Sequence, residues 1–313
     1  MADAIKKKVA GLWESGVATT VRDLQWLHRG DFGPETQLTI DGLAETALGD
    51  SFVCANDRVF LFELKATAGD RSSEWRQNNE KLAYVSLKRA IDEYSSLLID
   101  ERKALFTLFS MSHRGHHFVY WRNDPGQNRR SSKTGGLTFE PYLVACATAM
   151  SAKVAPPPLA QHIGDFFKIG EVALQEDKGT FTEISAPSLD RIFAGDACAA
   201  QFDVGGEILQ LSDLGLDIDE MIIYVKWLIE KNDDQDLPVD GILCSRDGTF
   251  YRQISSIFDA LTALGELNRE PQESLASRTI KRSHEKLGPP WPISESLLLS
   301  VPSLRAGRHG LGS

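Results

Sequence analysis

Apolar residues recur along the chain at two spacings, and the switches between them mark out its elements. Over residues 4–28, Ile5, Val9 and Leu12, then Val17, Val21 and Leu24, follow three- and four-residue spacing, which predicts a helix. After the turn-rich stretch RGDFGPE, residues 46–55 and 58–66 read as two strands joined at Asn56-Asp57. The polar run AGDRSS follows, with Ser72 or Ser73 as N-cap of a helix over 74–99 whose stripe is Ala83, Leu87, Ile91, Tyr94 and Leu98. ALFTLFSM (104–111) and HFVYWR (117–122) read as strands flanking a turn at Gly115. Helix, strands, helix, strands predicts an α/β fold: a central mixed β-sheet flanked by helices.

The stretch 123–136 is a polar, basic loop, and a short helix over 141–152 ends before the proline-rich APPPLA. The predicted boundary lies there, giving a first domain over 1–155 and a second, acidic α+β domain over 156–313. In the second, LDIDEMIIYVKWLIEKN and SIFDALTALGELN read as helices. Between them PVDGILCSRDGTFYRQIS reads as a hairpin turning at Asp247-Gly248. From Pro289 the composition predicts an extended arm.

Hydrophobic content of 42% and charged content of 25% are those of a globular protein. No apolar run approaches the ~20 residues of a membrane span, and no signal-peptide core follows the first residues. Cys54, Cys146, Cys198 and Cys244 form no CxxC pair, so neither a zinc site nor a disulfide framework is predicted and a cytoplasmic location is expected. No GxxxxGK[ST] loop is present. Net charge is −10, and its distribution changes the picture. Residues 1–140 hold 19 basic and 19 acidic residues, the remainder 15 and 25. The acidic half would repel a phosphate backbone and points instead to a protein partner or to restraint of the first half.

The candidate chemistry sits on the second strand of the first hairpin. One face of it is Val59, Leu61, Glu63 and Lys65; the other is Phe60, Phe62, Leu64 and Ala66. Both begin apolar, so the strand is expected to be buried on both sides, with Glu63 and Lys65 extending a buried face. A two-residue loop at Asn56-Asp57 sets Ala55 against Arg58 and, counting outward, Asp50 against Glu63. Two adjacent carboxylates repel unless a proton or a cation lies between them. An Asp, a Glu and a Lys on one face at a strand end make an oxygen-rich site suited to Mg²⁺ or Mn²⁺.

Asp50, followed thirteen positions later by Glu63-Leu64-Lys65, resembles the D…(D/E)-x-K signature of the PD-(D/E)XK nuclease superfamily, with Gly49 where a proline is common. The resemblance covers residues 1–122 and implies a restriction-endonuclease-like αβββαβ core. It also implies metal-dependent phosphodiester hydrolysis, in DNA before RNA, in a restriction or phage-defence setting. Asp50, Glu63 and the Leu64 carbonyl would hold the metal, and Lys65 would orient or deprotonate a water and stabilise phosphorane charge. Glu14 on the first helix matches a frequent acidic ligand of the superfamily, and Gln77 a polar residue near its site.

Outside that set, Glu35 and Asp41 are further acidic candidates, and His113, His116 and His117 are expected in a solvated turn. Asp240, Cys244, Asp247 and Phe250 echo Asp50, Cys54, Asp57 and Phe60 at identical offsets, but Gln253 and Ser255 replace the acid and the lysine, so the second hairpin is read as structural. The competing readings are a catalytically silent nuclease-fold module that binds nucleic acid or protein, and a nuclease gated by its C-terminal half. A homodimer is open in each.

Overall fold

The computed structural model describes residues 14–29, 37–40, 43–55, 58–76, 80–123, 135–152, 155–173, 180–183, 186–194, 198–202, 208–210, 214–230, 237–244 and 251–269. Helix α1 (Glu14–Arg29) is followed by β1 (Gln37–Thr39), the short α2 (Leu43–Ala47) and the hairpin β2 (Ser51–Ala55) and β3 (Arg58–Thr67). A 3₁₀ segment (Ala68–Trp75) leads to α3 (Leu82–Glu93) and α4 (Ile99–Gly115), then β4 (His116–Asn123), β5 (Gly135–Pro141), α5 (Tyr142–Ser151) and α6 (Pro158–Phe166). Next come β6 (Phe167–Ala173), β7 (Thr180–Glu183), α7 (Asp190–Ala194), β8 (Cys198–Phe202) and β9 (Ile208–Gln210). The described chain closes with α8 (Ile218–Ile229), β10 (Pro238–Cys244), β11 (Tyr251–Ser256) and α9 (Ile257–Arg269).

The fold is α/β. Strands β1 to β5 form a mixed block flanked by helices, within a seven-stranded sheet of order β11-β10-β1-β2-β3-β4-β5. Among the described strands only β3 and β4 run parallel, and α3 and α4 make the crossover that a parallel pair requires. One face of the sheet carries Phe52, Cys54, Val59, Leu61 and Phe118 against α3, α4, α5, α8 and α9. The other carries Val53, Phe60, Phe62 and Val119 against Val17 and Val21 of α1. The central strands are therefore buried on both sides, as the unbroken apolar runs required. A separate four-stranded antiparallel sheet has the order β7-β6-β8-β9. Among the described residues no helix is long and apolar enough to cross a membrane.

Two expected elements of the first half change. Residues 104–111, read as a strand, lie inside α4. The helix begins where the Leu98 N–H donates to the Glu101 carboxylate at 2.7 Å, and Ala104, Leu105, Leu108 and Phe109 recur with helical period on its buried face. The helix expected over 74–99 is interrupted: the polar run from Arg76 to Lys81 separates the 3₁₀ segment from α3.

The C-terminal half, expected as a domain of its own from residue 156, shares the sheet and the core of the first. β10 pairs antiparallel with β1 through Gln37↔Cys244, Leu38↔Leu243 and Thr39↔Ile242. Met221, Tyr224, Val225 and Leu228 of α8 lie in one apolar cluster with Tyr84, Leu87 and Leu108. Leu216 pairs alongside β3 where β4 has not yet begun, exchanging both backbone hydrogen bonds with Val59 at 2.8 and 2.9 Å. Arg114 and Glu220 then form a buried pair, with Nη2–Oε1 at 2.6 Å.

Candidate active site

The register of the first hairpin places the site. Ala55 pairs with Arg58 and Ser51 with Phe62, so Asp50 and Glu63 come next in line. The Asp50 N–H donates to the Phe62 carbonyl at 2.9 Å, and the Asp50 carboxylate turns across to accept from the Leu64 N–H at 2.5 Å. The chain is tight at Gly49. A Cβ at 49 would lie 3.1 Å from Leu61 Cδ1 and 3.2 Å from the Phe62 carbonyl.

Glu63 is completely buried and both of its oxygens meet ammonium groups. Lys65 Nζ contacts Oε1, and Lys81 Nζ lies 2.7 Å from Oε2. A second buried carboxylate, Glu74, faces the same two lysines, at 3.0 Å from Lys65 and 3.6 Å from Lys81. The 3₁₀ segment delivers Glu74. Its start is fixed by Asp70, which accepts from the Thr67 N–H at 2.9 Å and the Thr67 hydroxyl at 2.8 Å. Tyr142 Oη donates to Glu74 at 3.4 Å. The Lys81 N–H donates to the Glu74 carbonyl at 3.0 Å, which ties the two residues together ahead of α3. Glu14, on the exposed rim of α1, reaches to 3.9 Å from Lys65.

Electrostatics follow from burial. Burial, reinforced by Asp50, pushes the Glu63 carboxyl up to about 8, against the pull of Lys81 and Lys65. Burial likewise raises Asp50 and Glu14. For Lys65 and Lys81 burial acts downward, but Glu63, Glu74 and Asp50 together reverse it and hold both ammonium groups above their ordinary range. These directions pull the shared proton both ways. The contacts decide for the charged pair, since each Glu63 oxygen accepts from an ammonium.

Four carboxylates thus surround two ammonium groups. The hard oxygen donors and the excess of negative charge suit a hard dication. Among the described residues, however, no group of three or more His, Cys, Asp or Glu side chains is gathered as a metal shell; the two ammonium groups lie between the carboxylates instead.

The structure brings Asp50, Glu63, the Leu64 backbone, Lys65 and Glu14 together. Glu74 and Lys81 join them and were not anticipated. Their one signal is the wholly polar run Arg76–Lys81, which breaks the apolar stripe and starts α3 late. Gln77, Glu35 and Asp41 lie outside the described residues. The three histidines are not in a solvated turn. His113 ends α4, His116 and His117 begin β4, and all three are fully buried. Burial drives His113 and His117 down to about 3 and His116 well below its ordinary value. His116 stacks on Tyr142 at 4.1 Å and its Nδ1 lies 3.0 Å from the Tyr224 hydroxyl. The echo hairpin forms the far edge of the sheet, with Asp240 beside a bulge and with Gln253 and Ser255 exposed.

Beside Lys65, in register on β4, stands Tyr120. Its hydroxyl donates to Glu140 at 3.1 Å, and Arg71 pairs with Glu140 while lying 5.3 Å from the Tyr120 ring centroid. Compared with protein-family models, with curated proteins and with solved structures, the chain matches none.

Proposed function

We propose that the chain is a metal-dependent nuclease that hydrolyses phosphodiester bonds, in DNA before RNA, within a cytoplasmic restriction or phage-defence setting. One observation carries the reading: Glu63 and Lys65 lie buried at the end of a central strand, with Asp50 hydrogen-bonded across from the neighbouring strand. Buried charges of this kind are costly, and fold stability alone does not call for them. The element order α1, β1, β2, β3, the helical crossover and β4 agrees with a restriction-endonuclease-like core.

Asp50, Glu63 and the Leu64 carbonyl, with Glu14 at the rim, would hold Mg²⁺ or Mn²⁺. Bound there, such an ion supplies polarisation of the phosphate and a water of lowered pKa. Lys65 is held as a donor between Glu63 and Glu74, and from that place it stabilises negative charge developing on a phosphate oxygen. Arg71, half-buried beside Tyr120, offers a planar donor for an adjoining phosphate of the backbone. The acidic C-terminal half is the side for a protein partner or a second copy.

The test is incubation of the purified protein with plasmid, single-stranded DNA and RNA, with and without Mg²⁺ or Mn²⁺, beside Glu63→Gln. Metal-dependent cleavage lost in the variant supports the reading; no cleavage of any substrate rejects it. One observation favours a second reading, a catalytically silent binding module: both Glu63 oxygens are already taken by lysines. Nucleic-acid binding that persists without cleavage in every metal would select it.

A further inference from the structure

We propose that the end of β4 and β5, where Arg71 and Arg122 flank Glu140, is the docking surface for the nucleic-acid backbone, so that a bound strand runs from Lys65 across Tyr120 toward β5. The inference rests on the nucleic-acid reading above and adds to it the side of the site on which the strand lies. Lys65, Tyr120 and Thr138 stand in register on β3, β4 and β5. Neighbouring strands lie about 4.7–4.9 Å apart, so Arg71, over the Tyr120 ring, is roughly one strand across from Lys65. Arg71 is fixed at three points before any ligand arrives. Its Nε donates to the Ala68 carbonyl at 2.7 Å, its Nη1 pairs with Glu140, and its guanidinium lies 5.3 Å from the Tyr120 centroid. Tyr120 Oη donates to the same carboxylate at 3.1 Å. Nη2 has no partner among the described residues, which leaves one edge of the fork for a phosphate oxygen. An arginine held in this way loses little freedom on binding.

Charge points to the same side. Glu140 pairs with Arg71 and is also drawn on by Arg122, so one carboxylate stands between two guanidinium groups and leaves a positive excess. Arg122 is exposed, two residues on from Tyr120 and on the same face of β4. Opposite it on β5 is Gly136, where a Cβ would meet no described atom within 4 Å, so the space beside Arg122 is open. On the other flank of β3 the neighbour is Asp50, and Glu14 stands on the exposed rim. A phosphate chain is repelled on that flank and attracted toward β4 and β5. In sequence, the 124–134 connection between these two strands holds Arg129, Arg130 and Lys133 against Asp124, a basic stretch in a chain of net charge −10.

Fluorescence anisotropy of the full chain tests this, with a labelled DNA single strand, its duplex and an RNA of the same sequence, in EDTA to hold off cleavage and between about 50 and 200 mM salt. Arg71→Ala and Arg122→Ala are each expected to lower the slope of log affinity against log salt by about 0.9 on duplex or about 0.7 on a single strand, one phosphate contact apiece. Arg71→Lys keeps the charge and loses the fork, so the slope should hold while affinity at fixed salt falls. Arg58→Ala removes a cation seven residues back along β3, roughly 23 Å away, and should change neither. Unchanged slopes in Arg71→Ala and Arg122→Ala, with wild type binding, overturn the surface and leave the nucleic-acid reading standing. Equal losses in all three alanine variants also overturn it, since binding is then diffuse. Wild type that binds none of the three probes removes the surface and the reading together; self-association lost in Arg122→Ala, seen by sedimentation, then assigns the face to a second copy of this acidic chain.

Discussion

Acid should unfold this protein through its buried histidines, and His117 gives the cleanest measure. Its ring is enclosed by Phe60, Phe62 and Phe139 at centroid distances of 5.9, 6.4 and 5.4 Å, and burial lowers its pKa from 6.5 to about 3. A group held below its unfolded value in the folded chain contributes stability in full above that value, and loses it as pH falls toward the folded one. The window is therefore pH 6.5 down to about 3. Each such histidine tilts stability by about 1.4 kcal/mol per pH unit. From pH 6.5 to 5 that is roughly 2 kcal/mol for His117, and burial of His113 and His116 acts in the same direction, against a typical total of about 5–15 kcal/mol. The wild-type slope is a sum, so it is read against His117→Leu, an apolar replacement of similar size in an apolar ring of neighbours. Urea unfolding followed by circular dichroism at pH 7.5, 6.5, 5.5 and 5 should show the variant losing stability less steeply, by about 1.4 kcal/mol per unit below 6.5. Parallel curves for the two proteins would refute the reasoning.

Glu63→Ala and Lys65→Ala should each abolish metal-dependent cleavage while leaving the circular dichroism spectrum native; activity surviving in both would move the site elsewhere. Glu220→Gln leaves Arg114 buried without its carboxylate and should cost about 3 kcal/mol in denaturant unfolding, the low end for breaking a buried pair. Residues 1–155 alone should be insoluble or unfolded, because they lack β10, β11, α8 and α9 from their own sheet and core. A cooperative melt of that fragment would show the halves to be separable.

The site was legible where local rules fix geometry. A two-residue loop fixes the β2–β3 register, and apolar residues on both faces of β3 announce its burial, so Asp50, Glu63 and Lys65 could be set on one face from the sequence. Glu74 and Lys81 were not legible, because a 3₁₀ turn and a helix start bring them in, and neither follows a period. Residues 104–111 misled because a short, mostly apolar stretch, broken only at Thr107 and Ser110, fits a buried strand and a buried helix alike. The histidines misled because their polarity suggests water, while their neighbours in space, Tyr142, Tyr224 and Phe139, come from distant segments. The pairing of β1 with β10 joins residues about 200 apart, and no local signal foretells it.

That pairing also sets a clock on synthesis. At about 5–20 residues per second, β1 leaves the ribosome roughly 10–40 seconds before β10 exists to cover it. Through that interval the sheet ends in an unsatisfied strand edge, open to pairing with another chain. Such distant contacts also slow the final closure. The nascent protein therefore needs either a holding factor or a low local concentration, and its yield should depend on translation speed between residues 40 and 240 more than on the stability of the finished fold.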